Sequence, residues 1–335
     1  MNGFDYSLPP ELIAQQPAPE RDDSRLMFVQ RDSGNVEHRR FGDLSAGLRA
    51  GDLLIANDSR VFPARLHGHK ESGGAVELLV LGYTPGHWAE VMFKSSKPLR
   101  CGQKLIFGND RAEVCGPVKN GRCRLEFERP LREVLCGHGS LPLPPYIKRP
   151  QGPQSQDEQR YQTVYARAEG SVAAPTAGLH FTSALIDGLK DAGIAFRTLT
   201  LHVGPGTFVP VRDEDHRMEA EECTVEEELA VEFNRVRARG GRIVAVGTTS
   251  VRALETACSE DGRLRAFSGK ADLFIKPGYR FRAVDALISN FHLPATTLLA
   301  LVSAFGGDAC MREAYRQAVA LRYRFYSYGD AMLVV

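Results

Sequence analysis

The feature that most constrains this fold is a series of short segments in which apolar and polar residues alternate. Six such segments lie between residues 64 and 127, separated by Gly-Gly, Pro-Gly, Asn-Asp and Asn-Gly pairs. A period of two is typical of β-strands, and these dipeptides favour tight turns. The pattern predicts strands at 64–69, 75–83, 87–94, 104–107, 111–115 and 122–127. So many short strands favour a small closed barrel, because closure removes the edge strands that promote aggregation.

After a proline-rich stretch at 141–150, strand-like and helix-like segments alternate. Helices are predicted at 183–192, 225–239, from residue 250, 297–305 and 311–322, and strands at 196–203, 242–247, 273–276 and 286–290. This order is typical of an α/β domain with a largely parallel sheet. The chain has 335 residues, more than one hydrophobic core usually serves. We therefore predict an α/β large domain (1–62 and 149–335) with an inserted small antiparallel β-barrel domain (63–148).

The distribution of apolar residues indicates where in the cell the protein works. The longest apolar runs, such as residues 298–305, are far shorter than the roughly 20 residues that a membrane span needs. The first ten residues lack a basic segment followed by an apolar stretch, so they do not resemble a signal peptide. We expect a cytoplasmic protein without membrane contact.

Charge and cysteine content narrow the classes of site. The net charge is +1, from 42 basic and 41 acidic residues, so an RNA contact would have to come from a local patch. The seven cysteines are spread without a CxxC pair, which indicates neither a disulfide framework nor a zinc site. We expect no metal, and each cysteine is most simply read as a small buried apolar residue.

Four junctions in the α/β part carry polar side chains where a strand gives way to a turn or helix. They are residues 170–182, 201–208, 246–252 and 289–294. Ligands of α/β sheets bind where strands end, and histidine titrates near neutral pH. A single such junction is also compatible with a helix cap or a core histidine. Four of them in one domain favour an enzyme with a small polar ligand.

A longer pattern specifies the class. The four junctions, together with residues 57–66, 161–166 and 323–332, resemble the S-adenosylmethionine:tRNA ribosyltransferase-isomerase family of queuosine biosynthesis, in the same order from Phe4 to Leu333. The resemblance implies transfer of the ribosyl part of S-adenosylmethionine to an aminomethyl-deazaguanine base in the tRNA anticodon. The products would be epoxyqueuosine, adenine and methionine. It also implies a two-domain monomer, with tRNA as partner and S-adenosylmethionine as a consumed substrate rather than a cofactor.

Roles for the junction residues follow from that chemistry. The sulfonium acidifies the adjacent ribose carbon, so the reaction needs a base, a donor to departing adenine and groups that stabilise charge. We predict His180 and His202 as the acid–base residues. The predicted binding residues are the hydroxyl donors Thr176, Thr248 and Thr249, the anion anchor Arg252, and the secondary candidates Asn290 and His292.

Two positions depart from the family pattern. Glu219 stands near His216 where a second histidine is usual, and Ala295 stands where a lysine usually follows the His-Leu-Pro turn. Neither position is assigned a role.

Two other functions are alternatives to ribosyl transfer: methyl transfer and RNA binding without catalysis. A methyltransferase using the same substrate is disfavoured by the absence of a GxGxG turn after an early strand. An RNA-binding accessory protein would need a strongly basic stripe and aromatic platforms for stacked bases, and the sequence of this near-neutral chain does not show either clearly. Groups that could meet phosphates are Arg235, Arg237, Arg239 and Arg242, then Lys148 and Arg149, and finally His38, Arg39 and Arg40.

Overall fold

The structure, a computed structural model, describes residues 6–82, 85–208 and 218–335. Its strands are β1 (Arg25–Gln30), β2 (Asn35–Arg40), β3 (Leu53–Asn57), β4 (Ser59–Val61), β5 (Arg65–Lys70), β6 (Ala75–Val80), β7 (Trp88–Ser95), β8 (Lys104–Phe107), β9 (Asp110–Lys119), β10 (Arg122–Phe127), β11 (Gly139–Ser140), β12 (Ala168–Ser171), β13 (Ala195–Leu201), β14 (Glu221–Val225), β15 (Ile243–Val246), β16 (Phe267–Ala271), β17 (Ala286–Asn290) and β18 (Ala331–Val334).

The helices connect and cover these strands. They are α1 (Leu131–His138), α2 (Ser155–Arg160), α3 (Ser183–Asp191), α4 (Glu227–Ala238), α5 (Thr248–Ala257), α6 (Thr297–Gly306) and α7 (Asp308–Ala320), with short 3₁₀ helices at Pro10–Leu12, Arg21–Asp23, Phe41–Gly47, Thr176–His180 and Pro205–Phe208. Threonine hydroxyls cap two of them: Thr182 accepts from the Leu185 N–H before α3, and Thr296 from the Leu299 N–H before α6.

In the described residues, the larger sheet has nine strands in the order β16-β14-β13-β3-β15-β17-β18-β1-β2. Its centre, β13-β3-β15-β17, is parallel throughout. β3, β15 and β17 are buried along their whole length, as expected for parallel strands covered on both faces. The carboxyl ends of the four strands therefore meet at one edge, which we call the carboxyl edge.

In the described residues, the smaller sheet has seven strands, of which six form a closed antiparallel barrel and the two-residue β11 pairs with β5. The order in the barrel is β5-β6-β7-β10-β9-β8, and β8 pairs back with β5. Its core is separate from that of the larger sheet, and α1, which was not predicted, contributes Leu131, Val134 and Leu135 to it. The predicted fold class is confirmed. The short parallel pair β4–β12 joins the chain just before the barrel to the chain that follows it. The boundaries at 62/63 and 148/149 stay a prediction.

Most predicted elements agree with the observed ones within a few residues, and the strand at 286–290 matches throughout. The predicted helix at 225–239 begins later, because β14 extends to Val225 and α4 starts at Glu227. The predicted strand at 273–276 is wrong. That apolar segment packs Ile275 into the core, while the carbonyl of Leu273 accepts from Arg252. β16 lies earlier, at Phe267–Ala271, paired with β14.

Among the described residues, no helix combines the length and apolar character needed to cross a membrane.

Candidate functional site

A cavity of about 370 Å³ lies at the carboxyl edge. Its walls come from the turn after β12, from the ends of β13, β15 and β17, and from the loops before α2 and β18. The lining residues are Pro145, Tyr146, Ala173, Ala174, Pro175, Thr176, Ala177, Val203, Gly247, Thr248, Thr249, Ser289, Asn290, His292, Leu293, Thr296, Leu298, Tyr326 and Ser327. Parallel strands place these distant segments together, because their carboxyl ends share one edge.

Five of the eight predicted site residues line this cavity: Thr176, Thr248, Thr249, Asn290 and His292. The other three, His180, His202 and Arg252, lie outside the lining. Their contacts show how each is connected to the cavity wall.

His180 reaches the cavity through Asn290. The Asn290 Nδ2 lies 3.0 Å from His180 Nε2 and 3.2 Å from the carbonyl oxygen of Tyr326, while the Thr176 hydroxyl donates to Asn290 Oδ1 at 3.0 Å. The Tyr326 carbonyl needs a donor, so Nδ2 is the donating end of the amide. His180 Nε2 must then accept, and its Nδ1–H donates to Ser24 Oγ at 2.7 Å.

The environment of His180 keeps its ring neutral. The side chain is buried and stacks on Phe41 with the ring centroids 5.0 Å apart. Burial lowers the pKa of His180 to about 4, because the charged imidazolium loses its hydration. At neutral pH this histidine is an uncharged acceptor that holds the Asn290 amide in one orientation.

His292 lines the cavity directly. Its Nε2 is 2.8 Å from Ser289 Oγ, and its backbone N–H donates to the Tyr315 hydroxyl at 3.1 Å. Burial lowers the pKa of His292 to about 3. The ring is therefore also neutral at physiological pH.

The amino end of α5 borders the cavity. Gly247, which precedes the helix, has a φ of 87°, a conformation that glycine adopts without strain. The Thr249 hydroxyl accepts from Asn57 Nδ2 at 3.3 Å, which leaves its own hydrogen available for a ligand. Asn57 also bonds both backbone groups of Leu201, and so joins the ends of β3, β13 and α5. The positive end of the helix dipole favours a negatively charged group here.

His202 lies beside the cavity wall, next to Val203. It is half-buried, and its backbone N–H donates to the carbonyl of Glu222. A side chain at Gly170 would collide with the His202 ring, since an added Cβ would lie 2.7 Å from it. Burial lowers the pKa of His202. Its Nδ1 has no hydrogen-bond partner among the described residues.

Arg252 has a partner within the protein. It forms a buried ion pair with Glu221 and donates to the carbonyls of Ala271 and Leu273. Glu221 in turn accepts from the N–H of Gly204 at 2.8 Å. Arg252 thus supports the loop that follows β13 rather than the cavity surface.

Two tyrosines that the sequence did not single out form one wall. Tyr146 and Tyr326 lie with their ring centroids 3.9 Å apart, and the Tyr146 hydroxyl is 2.7 Å from Ser327 Oγ. Tyr326 has a φ of 72°, unusual for an aromatic residue. The only sequence signal was the position of Tyr326 and Ser327 within the 323–332 segment.

The lining residues are all uncharged or neutral at physiological pH. Asp, Glu, Lys and Arg do not occur among the residues described around the cavity. A ligand here meets hydroxyls, amides, tyrosine rings and a helix end instead of a formal charge.

Comparison with known proteins shows the family to which the chain belongs. Residues 1–334 match the family described as queuosine biosynthesis protein. The chain belongs to this family. It is 52% identical to the S-adenosylmethionine:tRNA ribosyltransferase-isomerase of Ralstonia pickettii, over 100% of this chain and 94% of the relative, and 51% identical to that of Symbiobacterium thermophilum, over 100% and 99%. The family resemblance drawn from the sequence is confirmed, and with it the prediction of an enzyme.

A solved relative has the same architecture. The crystal structure of S-adenosylmethionine tRNA ribosyltransferase from Thermotoga maritima is 36% identical, with a TM-score of 0.57 over 99% of both chains.

The two departures from the ribosyltransferase-isomerase pattern have definite places. Ala295 is exposed, with a φ of 57°, in the turn before α6. Glu219 forms an exposed ion pair with Arg122 of the barrel. His216 lies outside the described residues.

Proposed function

We propose that this protein transfers and isomerises the ribosyl moiety of S-adenosylmethionine onto the aminomethyl-deazaguanine base in the tRNA anticodon. The products are epoxyqueuosine-tRNA, adenine and methionine. S-adenosylmethionine is a consumed substrate, and no cofactor or metal is required. We further propose that the protein acts in the cytoplasm as a monomer, as the family resemblance implies.

The observation that carries the proposal is the cavity at the carboxyl edge. Five residues chosen from the sequence as binding candidates line one space there. The amino end of α5, with Thr248 and Thr249, suits the carboxylate of the methionine part, because helix amides and hydroxyls donate to anions. Asn290 and Thr176 suit the ribose, since both line the cavity and hydrogen bonds fix their orientation there.

The neutrality of the cavity favours proton loss from the substrate. A sulfonium transferred from water to a buried space without carboxylates loses hydration that nothing replaces at full strength. Removing a proton from the ribose carbon beside sulfur converts that centre into a neutral one. Burial therefore raises the acidity of this carbon. The same loss of hydration by a charged group lowers the pKa of His180 and of His292.

Of the acid–base pair predicted from the sequence, His202 keeps that role in this proposal. His180 is a positioning residue, because it holds the Asn290 amide that lines the cavity and an amide does not relay a proton. His202 lies one residue from Val203 in the wall, and its unpaired Nδ1 can exchange a proton once the loop adjusts to substrate. Arg252 is not retained as a substrate anchor in this proposal, because Glu221 holds its charge.

The test distinguishes ribosyl transfer from methyl transfer. S-adenosylmethionine labelled in the ribose or in the methyl group is supplied with tRNA that carries the aminomethyl-deazaguanine base. We expect ribose label in the RNA, methyl label in free methionine, and adenine released in step with RNA labelling. Methyl label in the RNA would overturn the proposal in favour of a methyltransferase. RNA binding without transfer of either label would favour an accessory protein.

A further inference from the structure

We propose that the outer surface of barrel strands β7 and β10 binds unpaired RNA, by stacking a nucleobase next to Trp88 and Arg124. This surface, called here the Trp88 face, also carries Met92, Lys119 and Arg122. The proposal rests on the proposed function, because it assigns the part of the tRNA substrate next to the reacting base to this face.

The positive charge of the chain is concentrated in the barrel. Residues 63–148 contain 13 Lys and Arg against 8 Asp and Glu, whereas the rest of the chain contains 29 against 33. The net charge of the whole chain is near zero because a basic insert and an acidic α/β domain offset each other. RNA is attracted to local positive charge, so the barrel is the favoured contact.

The Trp88 face has the chemistry of a base-stacking platform. Trp88 is the only tryptophan of the chain, and it is 44% exposed. The guanidinium of Arg124 lies over its ring. Unpaired RNA bases stack on aromatic rings and on the planes of arginine side chains. The face opens on a groove of about 1110 Å³, much larger than the cavity at the carboxyl edge.

The groove and the cavity are neighbours. Val203 lines the cavity, and the loop that starts there continues to Gly206, which packs against Glu219. Glu219 lines the groove and pairs with Arg122 of β10. The described residues 203–206 and Glu219 therefore connect the wall of the cavity with the wall of the groove, which favours the Trp88 face as the place for bases next to the reacting one.

The acidic groups on this surface restrict the form of the ligand. Glu90 lies opposite Arg124 in the register of β7 and β10, and Glu126 lies opposite Trp88. With Glu219, three carboxylates line the groove beside three cations. Duplex RNA is contacted mainly through its phosphates and 2′-hydroxyls, so these carboxylates disfavour a duplex. Stacking of splayed, unpaired bases is compatible with this mixture of charges.

Three of the other cations named from the sequence are held by carboxylates. Arg237 pairs with Asp285 and Arg242 with Asp52, at the edge of the sheet opposite the cavity. Arg149 pairs with the buried Asp157. The Trp88 face differs from these sites because its cations lie beside an exposed aromatic ring.

The sole tryptophan makes the test direct. Intrinsic fluorescence of the full-length enzyme is followed while tRNA with the aminomethyl-deazaguanine base, or its isolated anticodon stem-loop, is added. We expect saturable quenching of Trp88 by both RNAs, because a stacked base quenches indole emission. An independent mobility-shift titration gives the fraction bound. Unchanged emission at saturating RNA would overturn the proposal.

Variants measure the contribution of the face to affinity. Trp88→Ala should weaken tRNA binding roughly 5- to 100-fold, the range for loss of one stacked base. Trp88→Phe should retain most of the affinity because a ring remains. Val231→Ala and Arg263→Ala, an exposed apolar residue of α4 and an exposed cation outside the barrel, serve as matched controls and should leave binding unchanged.

The failure of this proposal can be told apart from failure of the proposed function. If the wild type transfers ribose but Trp88→Ala binds tRNA normally, only the assignment of this face is wrong. If the wild type shows no ribosyl transfer, yet RNA still quenches Trp88 and Trp88→Ala weakens binding, the face is supported and the reaction is not. Trp88→Ala with raised KM for tRNA and unchanged kcat supports both.

Discussion

The carboxyl edge of the main sheet and the Trp88 face of the barrel are connected through residues 203–206 and Glu219, yet they differ in almost every physical respect. The edge is buried, its described groups are neutral, and hydrogen bonds fix Asn290 and Thr176. The face is exposed and carries cations and carboxylates together. A neutral cavity suits proton chemistry, whereas an exposed charged surface suits recognition of a large anion. The two proposals above therefore assign the reaction to the α/β part and RNA recognition to the barrel.

Two glutamates, one just before β14 and one at its first residue, give the comparison its largest expected effect. Glu221 pairs with Arg252 where both side chains are at most 5% exposed, whereas Glu219 pairs with Arg122 where both are more than 40% exposed. We expect Arg252→Met to lower the free energy of unfolding by about 3–5 kcal/mol, because a buried carboxylate loses its partner. Arg122→Met should cost under about 1 kcal/mol. Urea denaturation of both variants measures the difference, and equal losses would remove the distinction.

The neutral histidines make the carboxyl edge sensitive to acid. The pKa of His180 in the folded state is about 4, below its ordinary value of 6.5. Between these two pH values the histidine is protonated in the unfolded chain but not in the folded one. Stability from this group is complete above pH 6.5 and is lost as the pH falls towards 4. The loss amounts to about 3 kcal/mol.

Unfolding free energies at several pH values test this account of the edge. His180→Asn should lose about 3 kcal/mol less than the wild type between pH 7 and pH 4. Parallel curves for the two proteins would mean that His180 is not held neutral by the fold.

How much of this could be predicted from the sequence depends on the range of the contacts. The barrel strands were predicted well, because hairpins pair neighbouring segments whose alternation is visible locally. β1 and β18 were not predicted, since they pair in parallel across almost the whole chain. The same limit applies at the site, where the Tyr146 hydroxyl meets Ser327, 181 positions away.

The junction pattern located the cavity but not the task of each residue. Thr176, Thr248, Thr249, Asn290 and His292 line it because strand ends converge, a rule that needs no knowledge of packing. That Asn290 stands between His180 and the cavity could not be read from spacing. Nor could the pairing of Arg252 with Glu221, because it depends on how β14 packs against α5.

Substitution of His202 tests whether this residue beside the cavity wall takes part in proton transfer. We expect His202→Ala to lower kcat at least about tenfold, equivalent to roughly 1.4 kcal/mol of transition-state stabilisation. Gly170 packs against the ring, so the melting temperature is measured on the same samples to separate catalysis from folding. An unchanged kcat in a folded variant would remove the acid–base role of His202.

Thr249 offers a smaller and more local effect. Thr249→Val should weaken S-adenosylmethionine binding roughly fivefold, the value of one lost hydrogen bond. Thr256→Val is a matched control in the same helix, since the Thr256 hydroxyl donates to the Arg252 carbonyl within α5. Calorimetric titration compares the two variants. Equal weakening would indicate a general effect on α5 rather than contact at its amino end.

The division between the two regions is tested most directly by the single-turnover rate of adenine release at saturating S-adenosylmethionine and tRNA. Asn290→Ala removes the amide that joins Thr176, His180 and the Tyr326 carbonyl in the cavity wall, and we expect it to slow this step about 100-fold, the range for loss of one preorganised polar group. Asn234→Ala, which removes an amide that ties α4 to Leu264, is the control and should match the wild type. Trp88→Ala should also match the wild type once tRNA is saturating. A slow Trp88→Ala with a normal Asn290→Ala would contradict the account, because it would place the chemistry at the barrel.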